Sequence, residues 1–150
     1  VNIALVENGS PILGALHAPA LDQCYLADGH GAFLISKNGY KRPIRARALP
    51  SDGAVVVASR NHRDAATDEY IARHQTSRIT SAGSALKFGL LAKGVADLYP
   101  RFGRTMEWDT AAGHALLTAA GGSLKRMDGT VLRYGKEGLD NPAFVARGIE

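Results

Sequence analysis

The sequence predicts a layered α/β chain in which helices pack on mixed sheets, and three observations carry that prediction. The opening third, 1–50, is a series of β-prone runs punctuated by glycine turns, the pattern of an antiparallel sheet. AVVVASR at 54–60 is a continuous apolar run, as expected of a strand covered on both faces. From 54 onward strand-like and helix-like segments alternate, which stacks helices against a sheet.

Taken in order, Val1–Val6 and Ile12–Ala18 are strands joined across ENGSP, whose Asn8-Gly9 pair signals a hairpin. Turns at Asp28-Gly29 and Asn38-Gly39 separate further strands, with Gly31–Ile35 and Arg42–Ala46 among them. TDEYIARHQ reads as a helix, with Asp68 and Glu69 near its start and His74 near its end, the order the helix dipole favours. RITSAG, 78–83, is a short segment leading to a turn. SALKFGLLAKG, 84–94, has Leu86, Leu90 and Leu91 at helical spacing and a stop at Gly94, and VADLYP, 95–100, is a short strand. From Thr110 to Ala120 the positions Ala111, Ala112, Ala115, Leu116 and Ala119 recur at threes and fours, Gly121-Gly122 ends the helix, and Asp109 stands at its N-cap. SLKRMDGTVLRYG is a hairpin turning at Asp128-Gly129, and AFVARG, 143–148, closes as a strand.

Composition narrows the class. One hundred and fifty residues suit one domain, and no apolar run approaches the ~18 residues of a membrane-spanning helix. Cys24 is the only cysteine and cannot form an intramolecular disulfide, so the cytoplasm is the expected compartment. Val1 lies inside a strand-like run, which leads us to expect a chain that begins within a longer protein. The formal charge is +4, with positives at Lys41, Arg42, Arg45 and Arg47 and again at Arg60, Arg63, Arg73 and Arg78. Acidic residues lie among the second group and aromatic interleaving is absent, which favours a solvated face with a small-anion site over nucleic acid.

Residue types alone leave roles open. Asp109 as a cap is worth about 0.5–2 kcal/mol over alanine, and a capping carboxylate has a second oxygen that can face a cation. Trp108 reads as a core aromatic that sets the angle at which the chain enters the helix. Lys87 is a snorkelling surface lysine or an anion contact; Arg101 pairs with Asp97 or Glu107, or binds an anion; His62 is an ordinary loop histidine or a contact. His114, five residues after Asp109, is off the spacing for a shared metal and reads as structural. His17 and His30 form no ligand cluster with Cys24.

EWDTAAGHALLTAAGG, 107–122, resembles the C-terminal signature of the inositol monophosphatase family, with Trp108, Asp109, Ala111, Ala112, Ala120, Gly121 and Gly122 in register. GSALKFGLLAKGVADLYPRFGRTMEWDTAAGHALLTAAGG is most similar to its 3'(2'),5'-bisphosphate nucleotidase branch, and the resemblance extends over nearly the whole chain. It implies the C-terminal half of a sugar-phosphatase αβαβα fold, with 1–50 completing an N-terminal sheet and 51–150 forming a substrate-binding subdomain. It also implies that Asp109 is a Mg²⁺ ligand beside the substrate, and that Ser59, Arg60, His62, Ser84, Lys87 and Arg101 contact that substrate. Ala85 stands where the branch carries a second serine.

The resemblance further implies that the remaining metal ligands, a Glu-Glu pair and an Asp-Pro-x-Asp-Gly-Thr motif, come from an N-terminal half, so that the chain alone is inactive. The implied reaction is removal of the 3'-phosphate from adenosine 3',5'-bisphosphate, and from its sulfated relative, in sulfur assimilation. Inositol-1-phosphate or fructose-1,6-bisphosphate hydrolysis and a non-catalytic nucleotide-binding fragment are the alternatives. The expected partners are that nucleotide, the N-terminal half and a second copy of the chain. The expected location is cytoplasmic, with peripheral association at the inner membrane left open.

Overall fold

Asn8 and Gly9 both adopt positive φ, 50° and 72°, and close the hairpin between β1 (Asn2–Glu7) and β2 (Ser10–Ala18). The computed structural model describes residues 1–59 and 63–150. A 3-10 turn at Pro19–Leu21 leads to β3 (Gln23–Asp28), and β4 (Gly31–Ile35) and β5 (Lys41–Pro43) follow. These five strands form one antiparallel sheet in chain order. The last strand is shorter than the expected Arg42–Ala46. Beyond Ile44 the backbone turns away, because Ala46 N–H donates to Ala120 O (2.9 Å) and the Arg47 carbonyl accepts from Ile149 (2.9 Å).

The second sheet is mixed, in the order β10-β12-β8-β6-β7. At its centre β6 (Ala54–Ala58) runs parallel to β7 (Thr76–Ser81) and β8 (Leu98–Arg101), while β12 (Phe144–Arg147) runs antiparallel to β8 and to β10 (Ser123–Arg126). The segment expected only to lead to a turn at 78–83 therefore ends a strand. Its sequence, TSRITS, lacks an apolar run because it lies at the edge of the sheet and only one flank pairs. A two-stranded ribbon of β9 (Thr105–Met106) and β11 (Asp140–Asn141) has too few residues to leave a periodic signal.

Among the described residues three α-helices complete the fold: α1 (Ala65–Ala72), α2 (Leu86–Ala92) and α3 (Glu107–Ala119). Asp64 caps α1, its carboxylate accepting from Thr67 N–H (2.9 Å) and Thr67 Oγ1 (2.6 Å). α3 packs between the first sheet and α2, and small residues permit the approach. A Cβ at Gly14 would lie 2.5 Å from Ala112 O, and one at Gly113 would lie 2.2 Å from Phe88 Cδ2. The low charge of this helix follows, because most of its residues are buried.

One apolar cluster runs through both sheets, joining Leu16 and Tyr25 to Phe88, Leu116, Leu117 and Phe144. Tyr99 meets Phe88 and Phe144 edge-on, at centroid distances of 5.4 and 5.6 Å. A smaller cluster, Val56, Ile71, Leu98 and Val145, fills the space beneath α1. Val55 and Val57 belong to the large cluster, and Ala54 and Val56 to the small one, so β6 is covered on both faces as its sequence predicts.

Candidate active site

Because β6 and β8 are parallel, their carboxyl ends open on the same edge of the sheet, the edge at which α/β folds place ligands. Ser59 follows β6 there and Arg101 ends β8. Ser84, just before α2, and Lys87, in its first turn, add to them, as do Arg104 and Thr105 on the approach to α3 and Asp109 in its first turn. Together with Ala85, Phe88, Tyr99 and Thr110 they line a cleft of about 410 Å³, within the size range of small-molecule sites. Five of the residues expected from the sequence, Ser59, Ser84, Lys87, Arg101 and Asp109, thus share one cavity. Arg60 and His62 lie outside the described residues.

Lys87 is not a snorkelling lysine. It is 3% exposed, and its ammonium donates to Ser84 O (2.8 Å) and Ala82 O (3.3 Å) and lies 4.9 Å from the centre of the Tyr99 ring. Burial brings its pKa down to about 8; the nearby Arg101 guanidinium acts in the same direction and the Asp109 carboxylate opposes both. The group therefore remains mostly cationic at neutral pH. Burial raises the Tyr99 hydroxyl, with Arg101 countering and Asp109 reinforcing that rise, so it stays a neutral donor.

Ser84 corrects a second expectation. It lies outside the helix expected over 84–94, for it precedes α2 and adopts a left-handed φ of 48°. Its backbone turn aims the carbonyl at the Lys87 ammonium. A non-glycine residue in that region is strained, and such strain concentrates at functional sites.

Arg101 pairs with neither acid considered for it. Asp97 is taken by Arg47, at 2.6 and 2.9 Å, and by Val55 N–H at 2.7 Å; Glu107 accepts from Lys136 Nζ at 2.5 Å. The Arg101 guanidinium instead donates to Gly103 O (2.9 Å) and Arg104 O (3.1 Å), which ties down the loop after β8. Asp64, held low chiefly by its Thr67 hydrogen bonds, also feels the Arg101 charge.

Asp109 is the third correction, since it occupies the third helical position rather than the N-cap. The helix starts earlier because Glu107 is clamped: its N–H donates to Leu139 O (2.8 Å), and its carboxylate accepts from Gly135 N–H (2.8 Å) and Lys136 N–H (3.0 Å). The N-cap is Met106, whose N–H donates to Asp109 Oδ2 (2.9 Å), the return half of a capping box. Trp108 is 59% exposed, not a core aromatic. His114 is structural as expected: it is buried, its Nδ1 lies 3.1 Å from the Tyr134 hydroxyl, and burial brings its pKa down to about 4.

With Oδ2 engaged by the cap, Asp109 still offers its other oxygen to the cleft, a donor suited to a hard cation such as Mg²⁺. Among the described residues no three His, Cys, Asp or Glu side chains gather into a metal cluster. Asp109 therefore fits as one ligand and not as a complete site. Sequence reasoning missed Tyr99, Arg104, Thr105 and Thr110 as lining residues; only their position beside Arg101 and Asp109 in the chain hints at them.

The inositol monophosphatase family model matches residues 1–147. The chain belongs to that family. It is similar to the 3'(2'),5'-bisphosphate nucleotidases CysQ of Salmonella typhimurium and of Escherichia coli K12, each 44% identical over 146 residues. Each match covers 96% of this chain and 58% of the relative, so the chain spans little more than half the length of those proteins. The crystal structure of CysQ from Bacteroides thetaiotaomicron, described as a bacterial member of the family, superposes with a TM-score of 0.87 at 38% identity. That match covers 99% of this chain and 62% of the other. The mixed α/β architecture is thus that of inositol monophosphatase-family structures. Among the described residues no helix is long and apolar enough to cross a membrane.

Proposed function

We propose that this chain carries the substrate-binding part of a Mg²⁺-dependent phosphatase that removes the 3'-phosphate from adenosine 3',5'-bisphosphate, and from its sulfated relative, in sulfur assimilation. The observation that supports this reading is the convergence of Ser59, Ser84, Lys87, Arg101 and Asp109 on one cleft. Similarity to proteins named bisphosphate nucleotidases points to the substrate.

In this reading Lys87 and Arg101 neutralise phosphate oxygens, and the Ser59 and Ser84 hydroxyls add neutral donors. Burial keeps Lys87 a strong electrostatic contact, because little water screens it. Asp109 holds one edge of a Mg²⁺ site, with the other carboxylates supplied from outside these 150 residues. Bound there, the ion would supply Lewis-acid polarisation and an activated water. Asp109 is positioned for this by the clamp on Glu107 and by the Met106 hydrogen bond, so the helix start doubles as a ligand mount.

The test is Mg²⁺-dependent phosphate release from adenosine 3',5'-bisphosphate, measured with the chain alone and with an N-terminal half carrying the missing carboxylates. Release is expected only when both are present. In that assembly Asp109→Asn should lower kcat by roughly two orders of magnitude or more, beyond the usual loss for an outer-sphere metal residue. Faster release from inositol 1-phosphate or fructose 1,6-bisphosphate than from the nucleotide would sink the substrate assignment. Release from the chain alone would sink the shared-site reading.

A further inference from the structure

The cations of the cleft are not equally committed. Lys87 donates to two carbonyls, Ser84 O and Ala82 O, and its charge is coupled to Asp109, which marks the metal end. Arg101 donates to Gly103 O and Arg104 O, and its charge is coupled to Lys87 and Asp64. Arg104 differs from both. It lines the cleft and is exposed, and its guanidinium makes no hydrogen bond or ion pair with any described residue.

Its backbone, by contrast, is fixed from both sides. The Arg104 carbonyl accepts from Arg101 Nη2 (3.1 Å), and the next residue, Thr105, begins β9 and pairs with Asn141. A free, permanently charged fork on a fixed base at the rim can receive an anionic group without surrendering a protein contact. Such an arginine suits a group on the substrate away from the reacting end.

We propose that Arg104 is a specificity-determining residue of this cleft, binding the phosphate of a bisphosphorylated nucleotide that is not cleaved. The inference rests on the nucleotidase reading above and adds to it the residue that separates bisphosphates from monophosphates. In this assignment Lys87 and Asp109 serve the reacting phosphate and Arg104 the distal one.

The experiment is an equilibrium titration of the chain in Mg²⁺ buffer with adenosine 3',5'-bisphosphate and with adenosine 3'-monophosphate, which lacks the distal phosphate. Wild type, Arg104→Gln and Arg104→Lys are compared. Arg104→Gln should weaken bisphosphate binding roughly tenfold, the scale of one charge-assisted contact, and monophosphate binding less than about twofold. Arg104→Lys should fall between, keeping the charge and losing the fork. An equal loss on both ligands, or none on the bisphosphate, overturns the role of Arg104 while leaving the nucleotidase reading standing. Tighter binding of inositol 1-phosphate than of either nucleotide by the wild type overturns the nucleotidase reading, and this inference with it.

Discussion

β1 and β6 are both short apolar strands, NIALVE and AVVVA, yet they end in opposite environments. Every residue of β6 is buried, whereas Ile3 and Leu5 of β1 are 66% and 52% exposed. The difference is one of neighbours. β6 has strands on both flanks and apolar clusters on both faces; β1 is an edge strand with α3 against one face only. The closed region carries the cleft, because rigid elements covered on all sides can hold Lys87 and Arg101 in place. The open sheet is apolar surface of the kind that pairs with other protein.

The sharpest way to break the comparison lies in α3, at the seam of the closed region. Leu116 is fully buried in the cluster that joins the two sheets, so Leu116→Ala should cost about 2–5 kcal/mol in urea unfolding. A loss below about 1 kcal/mol would mean that the sheets do not share a core.

Acid probes the same region through His114. Its folded pKa of about 4 lies below the ordinary 6.5, because burial disfavours the charged ring and Arg133 adds repulsion. Between those values the unfolded chain binds more protons, so stability is present above about pH 6.5 and falls as pH drops toward 4. The full loss is about 3 kcal/mol, and His114→Gln should remove that limb of the pH profile. An unchanged acid limb in the variant would place the titration elsewhere.

The smallest effect is expected on the open side. Leu5→Ser should change unfolding stability by no more than about 0.5 kcal/mol, since Leu5 is half exposed and removes little surface from water. A cost comparable to that of Leu116→Ala would show that the outer face of β1 is covered in solution.

Local signals reached the hairpin at Asn8-Gly9, the doubly covered β6 and the α2 leucines, because turn chemistry and periodicity act within a few residues. They misplaced the start of α3. Asp109 resembles an N-cap when read alone, but Glu107 is drawn into the helix by the backbone of Gly135 and Lys136, some 28 residues away. They also missed β7 as a strand, since a polar edge strand takes its identity from the partner it pairs with. In the cleft, Asp109, Lys87 and Arg101 were legible only through a recognisable motif; Arg104 and Thr105 carry no such pattern.

By itself the sequence determined which segments are strands and helices over most of the chain, which family it belongs to, and three of the charged side chains that line the cleft, Lys87, Arg101 and Asp109. Those properties reside in local propensity and in motif residues that keep their identity wherever the chain folds. Only the tertiary structure decided that Lys87 is buried rather than snorkelling, that Arg101 answers to carbonyls rather than to Asp97 or Glu107, and that the Arg104 guanidinium has no partner among the described residues. Each of those outcomes depends on which distant backbone arrives beside the side chain, and no spacing within the sequence encodes that arrival.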